Sequence, residues 1–405
     1  MSAPGVSDAP RLLDSSGNEP CPNCVVGCLS PFYAVRSVPV HSVVSIRTRE
    51  EALSFPRGDI LLGVCGTCGF VSNMAYDSAL QRYCPDCEET QGFSPTFQRF
   101  HKQLAERLIG RHGLRGKKIV EVGCGKGEFL SLMCELGGNA GVGFDPAFVP
   151  ERNPAKGLTQ VEFIQDFYGE KYAGISADFI CCKMTLEHIG KTREFVDIIR
   201  KSIGSRRTPV FFQVPDFTRI LTDKAFWDIY YEHCSYFTRH SLEQLFERAG
   251  FAILDIRSEY DGLYLAIEAV PLDRPMESSQ DDSLATEMRA STDEFRTAVR
   301  ATLQRWNRRV ASLIADGKRV VVWGSGSKAV AFLSALTDPG AISWVVDINP
   351  YRHGMFMPGT GHQVVAPEFL QTFQPDVVLV MNPIYNREIE QQLGSLGVQS
   401  ELWSV

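Results

Sequence analysis

The residues Ile119-Val120-Glu121-Val122-Gly123-Cys124-Gly125-Lys126-Gly127-Glu128 run from an apolar stretch into glycines spaced Gly-x-Gly-x-Gly, with a carboxylate two residues before the first. Glycines at that spacing permit positive φ and close backbone approach to a ligand. The amides of such a turn, with the start of the helix that follows, form a polar cradle. Asp145 closes the next apolar stretch, 22 residues past Gly123. A carboxylate there can take both hydroxyls of a ribose. Cys21-Pro-Asn-Cys24 and Cys65-Gly-Thr-Cys68 form two CxxC knuckles separated by 40 residues. Four thiolates in two knuckles make a closed tetrahedral zinc site, with no open position for catalysis. Thr185-Leu186-Glu187-His188-Ile189 and Tyr230-Tyr231-Glu232-His233-Cys234-Ser235-Tyr236-Phe237 each follow a strand-like run. The carboxyl ends of parallel strands are where ligands bind. Two histidines, a glutamate and several tyrosines there suit proton abstraction beside a carbonyl, which needs a base near neutral pKa and donors for the enolate oxygen.

These groups need a scaffold, and the periodicity supplies one. An amphipathic helix near Phe97–Arg111 leads into a strand at Lys118–Val122. Further strands are predicted at Ala140–Phe144, Val161–Ile164, Ala177–Cys181, Pro209–Val214 and Phe251–Ile256. Such alternation marks a parallel α/β sheet. Residues 273–284 are polar and breaker-rich, and Ala285–Asp316 reads as one long helix with Phe295, Val299, Leu303, Trp306, Val310 and Leu313 on one stripe. A second α/β unit follows, with a strand at Arg319–Trp323, a Gly-rich turn, a helix at Ala329–Leu336, and strands at Ser343–Asp347 and Asp376–Met381. Expected units are therefore a flexible tail (1–19), a metal module (20–95), a nucleotide-fold domain (96–272), a linker with its helix (273–316) and a C-terminal Rossmann-like domain (317–405).

Composition excludes several classes. The net charge of -7 gives no general attraction to nucleic acid or to anionic membranes. No apolar run reaches the roughly 18 residues of a membrane span, and the polar N-terminus lacks the features of a signal peptide. A cytoplasmic location is the expectation. Seven of the twelve cysteines lie in the first 90 residues, which points to metal rather than disulfides. Cys84-Pro-Asp-Cys87 is a third knuckle. It can replace one pair, join a second site or stay unligated.

The turn with its leading acid resembles motif I of class I methyltransferases. That resemblance implies that Glu121, Gly123, Gly125, Gly127 and Asp145 hold S-adenosyl-L-methionine, with Asp166 and Phe167 as the adenine-contacting pair. From about Cys21 to the end, the chain resembles the sugar C-methyltransferase family. The matching pieces are both CxxC knuckles, Glu88-Glu89-Thr90-Gln91 with Phe93-Ser94-Pro95, the glycine turn, Leu186–Ile189, Val214-Pro215-Asp216, the Tyr230–Phe237 segment, Gly324-Ser325-Gly326-Ser327-Lys328 and Met357-Pro358-Gly359-Thr360. The implied fold is α/β: an N-terminal zinc-binding module, a central class I methyltransferase domain and a second Rossmann-like domain at the C-terminus. The implied reaction is carbon methylation beside the ketone of a nucleotide-linked sugar. His233 is then the base, Tyr230 and His188 are donors to the enolate oxygen, and Glu232 orients or charges the histidine. Lys328 and Tyr236 would contact the acceptor.

The chain departs from the family pattern around the acceptor. Tyr231 stands for a usual histidine, Gln213 for a carboxylate, Asp261-Gly262-Leu263-Tyr264 for a Gly-Gly-Ser-like turn, and Cys87 for a tyrosine. An O- or N-methyltransferase on the same scaffold is the alternative. Gly324-x-Gly326-x-x-Ala329 with Asp347 also fits an NAD fingerprint, so acceptor binding, a structural role and NAD binding all stand as readings of the C-terminal unit.

Overall fold

The computed structural model describes residues 19–81, 83, 86–273 and 282–405. All of the expected tail but Glu19 and most of the 273–284 linker lie outside the described residues, as does Cys84. Three sheets form the frame. The first contains β1 (Leu29–Pro39), β2 (Arg57–Cys65) and β3 (Val71–Asn73), with a short helix α1 (Arg49–Leu53) between the first two strands. Its fourth strand comes from far along the chain.

Helix α2 (Pro95–His112) opens the central sheet. Ser94 caps it by accepting from the Phe97 amide, Pro95 supplies a preset φ at the first turn, and Gly113 ends it at φ 60°. The sheet is built from β4 (Lys118–Val122), α3 (Glu128–Gly137), β5 (Ala140–Phe144), β6 (Val161–Ile164), β7 (Phe179–Lys183), α4 (Thr192–Ile203) and β8 (Val210–Pro215). After α5 (Phe217–Asp223) comes β9 (Ser235–Tyr236), and then α6 (Arg239–Arg248), β10 (Phe251–Glu259) and β11 (Tyr264–Pro271). Strand order is β10-β11-β8-β7-β4-β5-β6, parallel except for β11, which runs antiparallel to both β8 and β10. This is the class I methyltransferase topology. β4 and β7 are neighbours although the chain first runs outward through β5 and β6, and that reversal opens the ligand crevice. β9 leaves this domain and pairs with β3, Val71 opposite Tyr236 and Ser72 opposite Ser235.

Helix α7 (Asp282–Ala315) leads to a third sheet built from β12 (Val320–Trp323), α8 (Ser327–Ala335), β13 (Trp344–Val346), β14 (Val364–Val365), α9 (Leu370–Phe373), β15 (Val377–Val380), α10 (Asn386–Ser395) and β16 (Glu401–Ser404). It is all parallel, in the order β14-β13-β12-β15-β16, and its continuous Val-rich strands are buried as such sheets require. β11 and β16, like β1, were not expected from the sequence. No helix among the described residues is long and apolar enough to cross a membrane.

One apolar cluster runs through all three parts. It joins Phe32 and Leu62 of the first sheet, Phe217 and Trp227 of the central domain, and Val322 and Phe332 of the third, with Phe295 and Trp306 of α7 among them. Phe295 meets Tyr33 edge-on at 5.3 Å, and Trp306 meets Phe332 at 5.6 Å. The stripe expected on this helix is therefore the strap that holds the first sheet to the third. Phe295→Ala removes a fully buried ring from it and is expected to cost about 3–5 kcal/mol, measured as a lowered midpoint of thermal or urea denaturation.

Candidate functional site

The cofactor crevice is set by the turn after β4. Gly123, Gly125 and Gly127 have φ of 70°, 55° and 84°. A Cβ on Gly123 would fall 1.9 Å from Thr185 Oγ1, and one on Gly127 2.4 Å from the Phe163 ring. Both glycines are required by conformation and by space. Asp145 at the end of β5 braces the turn, its Oδ2 accepting from Gly125 N (2.8 Å) and its Oδ1 from Ala147 N (2.7 Å). Each oxygen keeps a lone pair for a further donor. Lys126 is buried beneath the turn. Its Nζ donates to the carbonyls of Cys87 and Ala147 (2.8 Å each), pinning the end of the first module onto the cofactor loop.

The cavity over this turn measures about 530 Å³ and reaches from Asp166 and Phe167 to Tyr230 and His233. Glu121, Glu89 and Asp145 line it. Burial raises the pKa of all three, Glu89 to about 7 despite the nearby Lys126. Such a carboxylate-rich wall favours a cationic ligand. Glu121 Oε2 is buried without a partner, an atom that the ammonium or sulfonium charge of S-adenosyl-L-methionine would compensate. Asp166 is held by Lys171 and by Tyr172 (2.5 Å), and Phe167 projects 60% exposed beside it.

A second cavity of about 270 Å³ lies between the carboxyl ends of the central and C-terminal sheets. Tyr230, His233, Met184 and Ser327 line both cavities, so the two meet there. Tyr230 and His233 rings are 4.2 Å apart, and His188 stands edge-on to His233 at 4.9 Å. His188 Nδ1 is fixed by the Glu232 carbonyl (3.1 Å), and burial lowers its pKa to about 4. Burial, with His188 and Lys328 nearby, also holds His233 well below the usual histidine range. Both histidines are thus neutral at neutral pH and able to accept a proton.

Two expectations require correction. Glu232 does not reach His233. Its oxygens accept from Ser42 N (2.7 Å) and Ser42 Oγ (2.7 and 2.9 Å), and Oε1 lies 3.0 Å from His41 Nδ1. Burial alone would pull His41 down, but the Glu232 charge outweighs it and raises the pKa to about 10, so the two form a buried ion pair. Tyr236 lines neither cavity. It is 3% exposed in the shared core because its strand, β9, is committed to the first sheet, and its hydroxyl points to the Tyr230 carbonyl (3.4 Å).

Lys328 does reach the second cavity, at the start of α8, but is not alone there. It pairs with Asp228 at 2.9 Å, and Arg219 binds the same carboxylate. Arg219 also pairs with Asp223 at 3.3 Å, so the two cations are matched by two carboxylates, while α8 has no side-chain cap on its first amides. These groups together suit an anion. Arg219, Asp228, His41, Ser42 and Glu187 had no motif to announce them. Asp228, His41 and Ser42 act through contacts between segments distant in sequence, Arg219 through carboxylates four and nine residues further along the chain, and Glu187 stands inside the Thr185–Ile189 segment beside the histidine.

The four cysteines of the CxxC knuckles converge. Their Sγ atoms all lie within 4.8 Å of one another, with Cys21–Cys68 and Cys24–Cys65 each at 3.7 Å. A tetrahedron of Zn–S bonds near 2.3 Å has an edge of about 3.8 Å, so the donor set fits that ion. Cys87, from the third knuckle, is 3.4 Å from His41 Nε2 instead.

The crevice makes a direct forecast. Asp145→Ala removes the brace on Gly125 and the carboxylate expected to take the ribose. It is expected to weaken S-adenosyl-L-methionine binding by at least about 1.5–3 kcal/mol, measured by titration calorimetry.

Comparison with known proteins agrees with this geometry. Residues 95–256 match the methyltransferase domain family, and residues 276–400 match the C-methyltransferase C-terminal domain family. The C-methyltransferase NovU of Streptomyces niveus is 28% identical over 308 residues, covering 71% of this chain and 72% of that protein. The ubiquinone biosynthesis O-methyltransferase of Escherichia coli O127:H6 is 35% identical, but over 92 residues, or 21% of this chain and 37% of its own. Among solved structures, the 1,6-didemethyltoxoflavin-N1-methyltransferase of Burkholderia thailandensis aligns with 44% of this chain and 82% of its own at 17% identity and a TM-score of 0.35. With the strand order of the central sheet, its glycine turn and the two matched domains, the chain belongs to the S-adenosylmethionine-dependent methyltransferases and carries the C-terminal domain of the C-methyltransferases.

Proposed function

We propose that this C-methyltransferase methylates the carbon beside the carbonyl of a nucleotide-linked ketosugar or a related intermediate, with His233 as the base. The supporting observation is the position of His233 and Tyr230 where the cofactor cavity opens into the second cavity. A carbon becomes nucleophilic only when its proton leaves. His233 takes that proton, the C–H electron pair becomes the enolate C=C bond, and negative charge moves to the carbonyl oxygen. Tyr230 is placed to donate to that oxygen, whereas His188, neutral and with its one N–H spent on the Glu232 carbonyl, is not the donor the resemblance implied. When bound, S-adenosyl-L-methionine would supply a sulfonium-activated methyl group for this carbon, leaving as the neutral thioether. The nucleotide's phosphates would meet Lys328, Arg219 and the uncapped first amides of α8.

His233→Asn is expected to lower kcat by about 10²–10⁴ while leaving cofactor affinity unchanged. In heavy water, wild type should exchange the adjacent proton of a nucleoside diphosphate-linked ketohexose, read by mass spectrometry, and the variant should not. Near-wild-type turnover by the variant would favour an oxygen or nitrogen acceptor.

For the N-terminal module we propose one structural zinc ion on Cys21, Cys24, Cys65 and Cys68, within a unit spanning residues 20–95. Four buried thiolates side by side would repel one another strongly unless a cation neutralised them. The module also carries His41, Ser42 and Glu89 to the active site, so losing the ion should disturb both ends. Cys68→Ser is expected to lower zinc content and soluble yield together, with zinc measured by plasma emission spectroscopy. A well-folded wild type without metal would exclude this reading.

A further inference from the structure

With Glu232 committed to His41 and Ser42, His233 is left without the partner a catalytic histidine needs. Its Nδ1 is shut away from solvent and unpaired. Because the ring still lines both cavities, Nε2 is the nitrogen that faces the acceptor. Next to it lies a second anomaly. Glu187 is 1% exposed, and neither carboxylate oxygen meets a hydrogen-bond donor from another residue. A buried carboxyl group left unpaired costs several times what a surface one does, so both orphans ask for a partner. One ligand atom each of Glu187, His188 and His233 lies within 4.8 Å of the others.

We propose that Glu187 is the positioning residue of His233, its carboxylate accepting from Nδ1–H so that Nε2 is left free to take the acceptor's proton. The inference rests on the assignment of His233 as base and supplies what that assignment lacks. Burial makes His233 a weak base, and a carboxylate at the far nitrogen reverses this. It fixes the tautomer and stabilises the imidazolium that forms, the role played by the aspartate of a Ser-His-Asp triad. No hydrogen bond joins the two here, and catalytic contacts often close only when substrate binds.

The arrangement has a pH signature. Burial raises Glu187 to about 8. Below that pH it is protonated, donates rather than accepts, and drives the His233 proton onto Nε2, which disables the base. Above it, the ionised carboxylate accepts from Nδ1–H. Activity therefore rises with pH through about 8. The groups facing Glu187 do not oppose this. His188 is in its own turn, Cys182 is on β7, Tyr230, His233 and Cys234 are in the loop before β9, and Tyr264 is on β11. The His41–Glu232 ion pair lies beyond His188, and Lys328 acts on His233 rather than on Glu187.

The test is a nitrogen-15 spectrum of the histidine rings in the full chain, with His233 assigned by its loss in His233→Asn. Wild type should pass from the Nε2–H to the Nδ1–H tautomer with a midpoint near pH 8, and Glu187→Gln should show no such step. With the nucleoside diphosphate-linked ketohexose, Glu187→Gln should lower kcat by about 10²–10⁴, leave KM nearly unchanged and lose the rising limb of the pH profile. A wild-type His233 that stays Nε2–H from pH 6 to 10 overturns the proposal even if Glu187→Gln fails to fold. The tautomer step without any effect of His233→Asn on turnover would leave the pair intact and refute the base assignment instead. A second metal equivalent per chain, beyond the one on the four cysteines and lost in Glu187→Gln, would give the three atoms to a metal and overturn the pair.

Discussion

The structure turns on one buried charge. Glu232 sits at 2% exposure in the loop that carries His233, and an unpaired carboxylate there would not stay ionised. Every group that compensates it comes from the first module: His41, and the amide and hydroxyl of Ser42. The Ser42 hydroxyl is in turn 2.6 Å from that of Ser327, at the start of α8. One carboxylate therefore fixes the loop before β9 against both neighbouring units. Removing one partner of a buried pair costs about 3–5 kcal/mol, comparable to losing a large core side chain. β9 adds two residues of sheet to the same joint.

The two nucleotide-type units use one device and diverge in what they leave open. In each, an acid after the second strand braces the Gly-rich turn. Asp145 takes the amides of Gly125 and Ala147, and Asp347 takes those of Ser325 and Asn349. Asp347 also accepts from the Ser325 hydroxyl (2.5 Å), and Arg352 fills the space behind it by binding the Ser325 carbonyl. That additional occupancy reduces what Asp347 can offer a ribose, so the fingerprint Gly324-x-Gly326-x-x-Ala329 survives while its acid is largely spent within the protein. The anion-binding features of the turn remain, so it is the spent acid, and not the turn, that tells against a dinucleotide.

What was legible in the sequence was what is local. The glycine turn, its leading Glu121 and the closing Asp145 are fixed by a strand, a turn and a helix contiguous in the chain, and β4, β5 and β6 fall at the expected residues. The stripe on α7 was legible for the same reason, because one helix face carries it. β1 was not, since Pro31, Ser37 and two register shifts break the alternation that marks a strand. β9 is too short to show any period. The partners of Glu232 lie 190 residues away, and no spacing rule spans that distance. Glu187 stood in plain view beside His188, but its importance comes from lacking a partner, which only the packed structure shows.

Burial sets the terms on which the site operates. On the proposed reaction, a dry pocket strengthens every hydrogen bond to a developing enolate, yet the same dryness depresses the base proposed to create it. The lowered histidines and the raised carboxylates Glu89, Glu121 and Glu187 are two faces of that single cost. A cationic cofactor would offset it at Glu121 and Glu89, where the cavity already holds more acid than base. It cannot offset it at His233, which faces the acceptor and, through Lys328, a cation. A carboxylate at the buried nitrogen is the remaining way to hold a proton there, because it turns the charge created by proton transfer into a neutral pair. The site therefore needs two kinds of acid: some answered by the cofactor, and one that waits for the proton of the carbon.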